Sequence, residues 1–217
     1  MLRKLLFLLL GVSLCGCTSS GQRTCTEILA PDLRALLTQQ APSQEMRSKI
    51  AALYDLPSNK VEESSGGFSW TKDGVAGNFI TEHPFNLKYP PAASLEFTER
   101  PPSTQQVLEC LGTPDMYLTW YHAPAGAGYR PILDLDLYFV QRGIRARVAQ
   151  LGERNRPPRL DGTNPVVELY YVEPDSREKT LEQLTLLIAE ERKAKIKPWP
   201  GRWEDLVIDI DPSLRSK

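Results

Sequence analysis

The segment Pro101–Ala149 reads PPSTQQVLECLGTPDMYLTWYHAPAGAGYRPILDLDLYFVQRGIRARVA, a short helix signal followed by alternating strand patterns. Ser103 or Thr104 suits the N-cap of the helix, and Gly112 can adopt the left-handed conformation that ends it. In Ile132–Val140 apolar residues occupy every second position, which is the period of a half-buried strand. The segment therefore predicts one helix that leads into a β-meander, and it carries no visible catalytic chemistry.

The rest of the chain continues this mixture of short helices and short strands. Predicted helices begin near Pro31 and Ser43, and the longest one spans about Arg177–Lys195, with a buried stripe that includes Leu187. Further strands are predicted at Phe68–Trp70, Gly74–Thr81, Leu87–Thr98, Met116–His122, Ile144–Ala149 and Val166–Val172. The predicted fold class is α+β, with short helices packed on one face of an antiparallel sheet and a C-terminal helix.

We place a single globular domain at residues 25–217. A weak internal repeat is visible within it. Ile50-x6-Pro57-x3-Val61 aligns with Val107-x6-Pro114-x3-Leu118, and each motif precedes a hairpin. One interpretation is two tandem helix-plus-β-meander units at about 43–100 and 101–172. The other is chance, because the copies share few identities.

The N-terminus begins with a short basic segment and an apolar stretch. Arg3 and Lys4 precede an apolar stretch, Leu5–Leu14, that is too short to span a bilayer as a helix. The stretch ends in Leu14-Cys15-Gly16-Cys17, which resembles the lipobox. The resemblance implies cleavage after Gly16, so that residues 1–16 are the signal peptide, and fatty acylation at Cys17. An ordinary secretory signal is the alternative.

Composition limits the partners of the mature chain. Loss of Arg3 and Lys4 from 26 basic residues leaves 24 against 27 acidic ones, a net charge near −3. A nucleic-acid partner is not predicted, because such binders carry a basic excess. Residues 17–24 have the small polar composition of a flexible tether. We therefore expect a protein lipid-anchored on the extracytoplasmic side of a bacterial membrane, in the cell envelope.

Two cysteines remain once the signal and the lipid attachment are accounted for. Cys25 and Cys110 form an even pair in a compartment that permits disulfides. A bridge between them and two isolated buried thiols are both open at this point. Neither a metal site nor a cofactor is predicted, because these cysteines, His83 and His122 do not have the spacing of metal ligands.

One family resemblance covers about fifty residues. The motif Val107–Asp115, VLECLGTPD, with the strands that follow it and the hairpin at Gly143, is similar to envelope lipoproteins of the SmpA/OmlA (BamE-like) type. Tandem copies of that arrangement resemble the β-lactamase inhibitory protein fold. The resemblance implies a helix that precedes a short antiparallel sheet. The length of this chain and its C-terminal helix depart from the single-domain lipoproteins, so their role in barrel assembly does not carry over.

Aromatic residues on adjacent predicted strands are the candidate binding site. They are Trp120, Tyr121, Tyr138 and Tyr170. Tyrosine and tryptophan on a sheet face suit a protein interface, although packing against the long helix is the alternative. Asp134 and Asp136 share one face of their strand, where a solvated face is favoured over acid–base or cation chemistry.

No catalytic residue is predicted. The chain has no Gly-x-Ser-x-Gly elbow, and its histidines have no recognisable triad context. The leading functional hypothesis is a non-enzymatic, membrane-anchored lipoprotein that binds protein or scaffolds envelope assembly through the concave face of its sheet. The competing hypothesis is a small-molecule-binding or stress-related envelope lipoprotein.

Overall fold

One antiparallel sheet organises the protein. The computed structural model describes residues 23–39, 41, 43–81, 90–123, 129–153 and 156–215. Nine strands pair in the order β1-β2-β3-β4-β8-β7-β6-β5-β9. They are β1 (Glu62–Ser64), β2 (Gly67–Lys72), β3 (Val75–Ile80), β4 (Ala92–Phe97), β5 (Met116–His122), β6 (Ile132–Phe139), β7 (Ile144–Leu151), β8 (Val166–Val172) and β9 (Lys197–Pro198).

The helices are short, and the sheet accounts for more of the structure than they do. They are α1 (Cys25–Leu29), α2 (Pro31–Leu36), α3 (Ser43–Leu53), α4 (Thr104–Leu111), α5 (Arg177–Leu184), α6 (Glu190–Lys193) and α7 (Pro212–Arg215). Helix α4 has the predicted ends: Ser103 forms a capping box with Gln106, and Gly112 follows with φ 81°. The α+β class is thus confirmed.

The main core lies on one side of the sheet, which we call the inner face. Strand β6 shows the alternation most clearly, because Leu133, Leu135 and Leu137 point to this side and are fully buried. Helices α1–α4 contribute their apolar side chains to the same core. The segment after β9 also belongs to it, and its backbone pairs with β5 near Tyr121.

Helices pack on the other side as well, which we call the outer face. A second, smaller core there joins Leu184 and Ile188 to the outer-face residues Leu118, Tyr138 and Tyr170. The prediction of helices on one face alone is therefore wrong. The prediction considered only the leucines of β6. The side chains that alternate with them on the outer face include tyrosines, which are largely apolar and are stabilised by burial as well.

The long C-terminal helix is divided. Helix α5 ends where the Thr185 hydroxyl donates to the carbonyl oxygens of Leu181 (2.8 Å) and Glu182 (3.2 Å), a bond that competes with continued helix. Helix α6 begins five residues later. Because the helical period is broken, Leu187 is 64% exposed rather than part of the predicted buried stripe.

The N-terminal segment is more ordered than a tether. Thr24 and Glu27 form a capping box that starts α1, a helix the apolar period did not predict before Pro31. The Arg23 guanidinium lies over the Phe97 ring, 5.2 Å from its centroid. Of the predicted tether 17–24, positions 23 and 24 therefore belong to the folded domain. Cys17 and the lipobox lie outside the described residues, as does His83.

The two remaining cysteines are bonded. A disulfide joins Cys25 in α1 to Cys110 in α4, across 85 positions of sequence. Of the two alternatives for this pair, the structure has the bridge. Beside it, the Tyr171 hydroxyl donates to the Ile28 carbonyl oxygen (2.7 Å), so that α1 is also held to strand β8. Within the described ranges, no helix has the length and apolar content needed to cross a bilayer.

Candidate functional site: the outer face of the sheet

The strand register places polar and aromatic residues in rows across the outer face. One row reads Ser69, Asn78, Ser94, Tyr170, Arg145, Tyr138 and Met116 from β2 to β5. The next reads Thr71, Ala76, Glu96, Glu168, Arg147, Asp136 and Leu118. Five of these fourteen residues are ionisable acids or arginines, so charge is concentrated near the middle of the sheet.

The two aspartates of β6 are buried. Asp134 and Asp136 are each only 5% exposed, which corrects the prediction of a solvated face. The reason lies in tertiary packing, because the chain returns as α5 and α6 and covers this half of the outer face. A strand that alternates Leu and Asp does indicate two chemically different faces, but it contains no information about what a later helix covers.

Asp134 is held by two cationic or donor groups. Its Oδ2 lies 2.9 Å from Nε2 of His122, and its Oδ1 accepts a hydrogen bond from the Arg147 guanidinium (3.0 Å). His122 faces Asp134 from the neighbouring strand β5, and Arg147 does so from β7. A buried carboxyl group that contacts an arginine on one side and an imidazole nitrogen on the other is a structural polar site.

Arg145 is the centre of the network. Its guanidinium donates to a carboxylate oxygen of Glu168 and to the Leu184 carbonyl oxygen, each at 3.3 Å, and lies 5.0 Å from the centroid of the Tyr170 ring. It is 3.9 Å from Asp136. Burial lowers its pKa, but the attraction of Asp136 and Glu168 outweighs burial and raises it. Arg145 therefore stays charged and joins three elements: β7, β8 and α5.

Asp136 is less well compensated than Asp134. Burial raises the pKa of its carboxyl group, and the nearby Arg145 and Arg147 only partly oppose this. Its Oδ1 has no hydrogen-bond partner among the described residues. Burial also raises the pKa of Tyr170 to about 12, so that this phenol is protonated at neutral pH. The network has the properties of a stabilising ion cluster.

The predicted aromatic binding face is divided by the fold, and as a single exposed surface it is wrong. Tyr138 and Tyr170 lie on the outer face but are buried under α5, at 0% and 4% exposure. Tyr121 points to the inner face, where its hydroxyl donates to the backbone of Glu153. Tyr138 and Tyr170 thus pack against the C-terminal helical segment, as the alternative interpretation held, whereas Tyr121 packs in the main core.

Trp120 is the one of the four that is not buried. It is half-buried on the outer face, and two cations from the C-terminal segment lie over its ring. The Lys195 ammonium is 4.1 Å from the ring centroid and the Arg192 guanidinium is 5.7 Å from it. Cation–π contacts of this kind stabilise the position of α6 over the sheet.

The outer face of strands β2–β4 is more exposed than that of β5–β8. Sequence reasoning did not identify it as a candidate binding surface. We call this surface the open face, and it consists of Ser69, Thr71, Ala76, Asn78 and Glu96, all half-exposed or exposed. The signal was present, since β2 and β3 alternate buried apolar residues with small or polar ones. Glu96 is exposed and directly opposite Glu168 in the register. Glu168 is paired with arginines, whereas Glu96 has no ion pair within the described part of the chain.

The described side chains do not form a metal centre, because no three histidine, cysteine or acidic residues among them converge. Comparisons with protein-family models, with curated proteins and with solved structures give no match.

Proposed function

We propose that this protein is a non-enzymatic lipoprotein of the bacterial cell envelope that binds another protein over its open face. The observation that carries the proposal is the uneven cover of one sheet. Over β5–β8 the outer face lies beneath α5 and α6, whereas the outer-face residues of β2 and β3, and Glu96 of β4, are half-exposed or exposed. The other outer-face residues of β4, Ala92 and Ser94, are buried. The lipobox resemblance at Leu14–Cys17 supplies the anchor and the compartment.

The composition of the open face indicates the chemistry of the partner. Hydroxyl and amide groups of Ser69, Thr71 and Asn78 offer hydrogen bonds from a rigid strand scaffold, at little cost in side-chain entropy. Glu96 adds a negative charge beside Glu168. A protein surface with polar groups and a basic side chain complements this arrangement, because opposite potentials favour encounter and exclude partners of the same charge.

The topology also supports the proposal of two related units, at about 43–100 and 101–172. Helix α3 is followed by the meander β1–β4, and α4 is followed by β5–β8. Strands β4 and β8, each the last of its meander, pair antiparallel and join the two halves. In this scheme only the second unit is followed by covering helices, since β4 leads directly to α4. The open face is then the part of the first unit that no following helix covers.

Site-specific photocrosslinking tests the binding surface. A photoreactive amino acid at Thr71 or Glu96, in cells of the protein's own source, is expected to give one crosslinked species that mass spectrometry identifies. The matched control carries the same amino acid at Glu109, an exposed position of α4 on the opposite side of the sheet. Glu96→Lys should reduce the yield from Thr71 about tenfold, because it reverses the charge that the partner recognises.

Two outcomes would contradict the binding proposal. Equal crosslinking from Thr71 and Glu109 would show no preference for the open face. A yield that Glu96→Lys leaves unchanged would show that the captured protein is not recognised by this surface.

The anchor has a separate test. Cys17→Ser removes the thiol that would carry the lipid, and we expect most of the protein to leave the membrane fraction for the soluble fraction. Several acyl chains hold a protein on a bilayer far longer than weak surface contacts do. Cys15→Ser is the matched control and should leave the protein in the membrane fraction. Retention of the Cys17→Ser protein on membranes after a high-salt wash would refute the lipid anchor.

A further inference from the structure

A cleft of about 370 Å³ opens on the inner-face side of the sheet, away from the open face. It lies between the N-terminal helices, the end of α3 and the ends of strands β2–β4. Its apolar lining consists of Leu33, Leu53, Tyr54, Val75, Leu95 and Phe97. The volume falls within the range of small-molecule sites, about 300–1,000 Å³.

The cations at the rim of the cleft are already engaged. The Arg23 guanidinium lies 3.3 Å from the Glu27 carboxylate and stacks over the Phe97 ring. The Lys72 ammonium donates to the carbonyl oxygen of Tyr54 (2.5 Å) and lies 3.8 Å from the Asp55 carboxylate. Each cation therefore has an acidic partner beside it, and only the Nε of Arg23 lacks a hydrogen-bond partner among the described residues.

Two carboxylates at the rim remain. Asp32 begins α2 and Asp73 occupies the β2–β3 turn, and both side chains line the cleft and are exposed. Neither forms an ion pair with another described residue. The lining as a whole carries four carboxylates, on Glu27, Asp32, Asp55 and Asp73, against the two cations, which leaves a net charge of −2.

We propose that this cleft binds a small amphiphile with an apolar chain and a cationic head group. The apolar lining would bury the chain, whose transfer from water supplies most of the binding free energy. The head group would sit at the rim near Asp32 and Asp73, where opposite charge favours it and a carboxylate head would be repelled. This inference is independent of the protein-binding proposal, because the two surfaces lie on opposite sides of the sheet.

Calorimetric titration of the full-length protein tests the class of ligand. The probes are octylammonium, octanol and octanoate, which share a chain and differ in charge, each below its micelle-forming concentration. We expect octylammonium to bind about tenfold more tightly than octanol, and octanoate to bind least. The preference should shrink as salt rises, because exposed charges are screened over about 10 Å at 0.1 M ionic strength.

Variants separate the two parts of the site. Asp32→Asn with Asp73→Asn should remove most of the preference for octylammonium and leave octanol binding unchanged. Leu53→Trp places a larger side chain in the cleft and should weaken the binding of all three probes. The matched control, Glu173→Gln with Glu178→Gln, removes two exposed charges near α5 and should change nothing.

Three results would contradict the proposal. Equal affinity for octylammonium and octanoate would overturn the charge assignment. An unchanged preference in the double asparagine variant would do the same, provided that circular dichroism shows the variant folded. Unchanged binding in a folded Leu53→Trp variant would place the apolar chain elsewhere and overturn the site.

Discussion

Replacing Arg145 with methionine is expected to lower the free energy of unfolding by about 3–5 kcal/mol. Arg145 is the main cationic partner of two acids, Glu168 at 3.3 Å and Asp136 at 3.9 Å. Methionine fills similar space but leaves these acids without that charge, and a buried charge without its partner is costly. Urea unfolding at pH 7, followed by circular dichroism, measures the change.

Asp136→Asn provides the contrast within the same network. Because burial raises the pKa of Asp136 above its ordinary value of 3.8, the folded state favours the neutral carboxyl group. The wild type then loses stability as pH rises from that value through the raised one, and the asparagine variant does not. Asp136→Asn should therefore gain stability relative to the wild type as the pH rises above 3.8.

Combining the two changes tests whether they act through one cluster. In the Arg145→Met background, Asp136→Asn should recover part of the lost stability, because it removes one of the two uncompensated charges. Strictly additive effects would show that Arg145 and Asp136 do not interact energetically. A cost below about 1 kcal/mol for Arg145→Met would mean that water enters and solvates the acids.

Removing the disulfide is the second change with a large expected effect. Replacing Cys25 and Cys110 with alanine should lower the free energy of unfolding by about 2–4 kcal/mol. The bridge closes a loop of 85 positions, so that it restricts the unfolded chain strongly. The α1 helix, with five residues, is too short to persist without the attachment. Denaturant unfolding of the double variant and of the oxidised wild type measures the difference.

A reductant supplies the control for that experiment. Reduced wild-type protein should unfold at the same denaturant concentration as the alanine variant, and the variant should not respond to reductant. If the oxidised and reduced proteins are equally stable, then the other contacts of α1, including the Tyr171 hydrogen bond, hold the N-terminal segment without the bridge.

Much of the sheet follows from local sequence. Strands Met116–His122 and Val166–Val172 occur with their predicted bounds, because each is a run of β-favouring residues between turn signals. The hairpin at Asp73-Gly74 is likewise local, since a dipeptide of this kind favours the φ angles of 49° and 72° that a tight turn between two strands requires. The helix α4 is similarly local, since its cap and its terminating glycine lie within the segment itself.

The candidate site was much less predictable. Alternation shows that Asp134 and Asp136 share a face, but not that Arg145 and Arg147 face them from β7. The same limit applies to the aromatic residues, because Tyr121 and Tyr138 have opposite orientations that only the strand register reveals. The open face was missed because small polar residues resemble an ordinary solvated strand.

The sequence by itself determined most of the longer strands, the capped helix α4 and the presence of two cysteines that could pair. These depend on residues close together in the chain, where period, cap and turn chemistry act directly. Only the tertiary structure decided which half of the outer face is covered. The return of α5 and α6 over β5–β8 buries the ion cluster and leaves the open face, on β2, β3 and Glu96 of β4, uncovered. Such a choice depends on contacts between distant segments, and no local pattern records it.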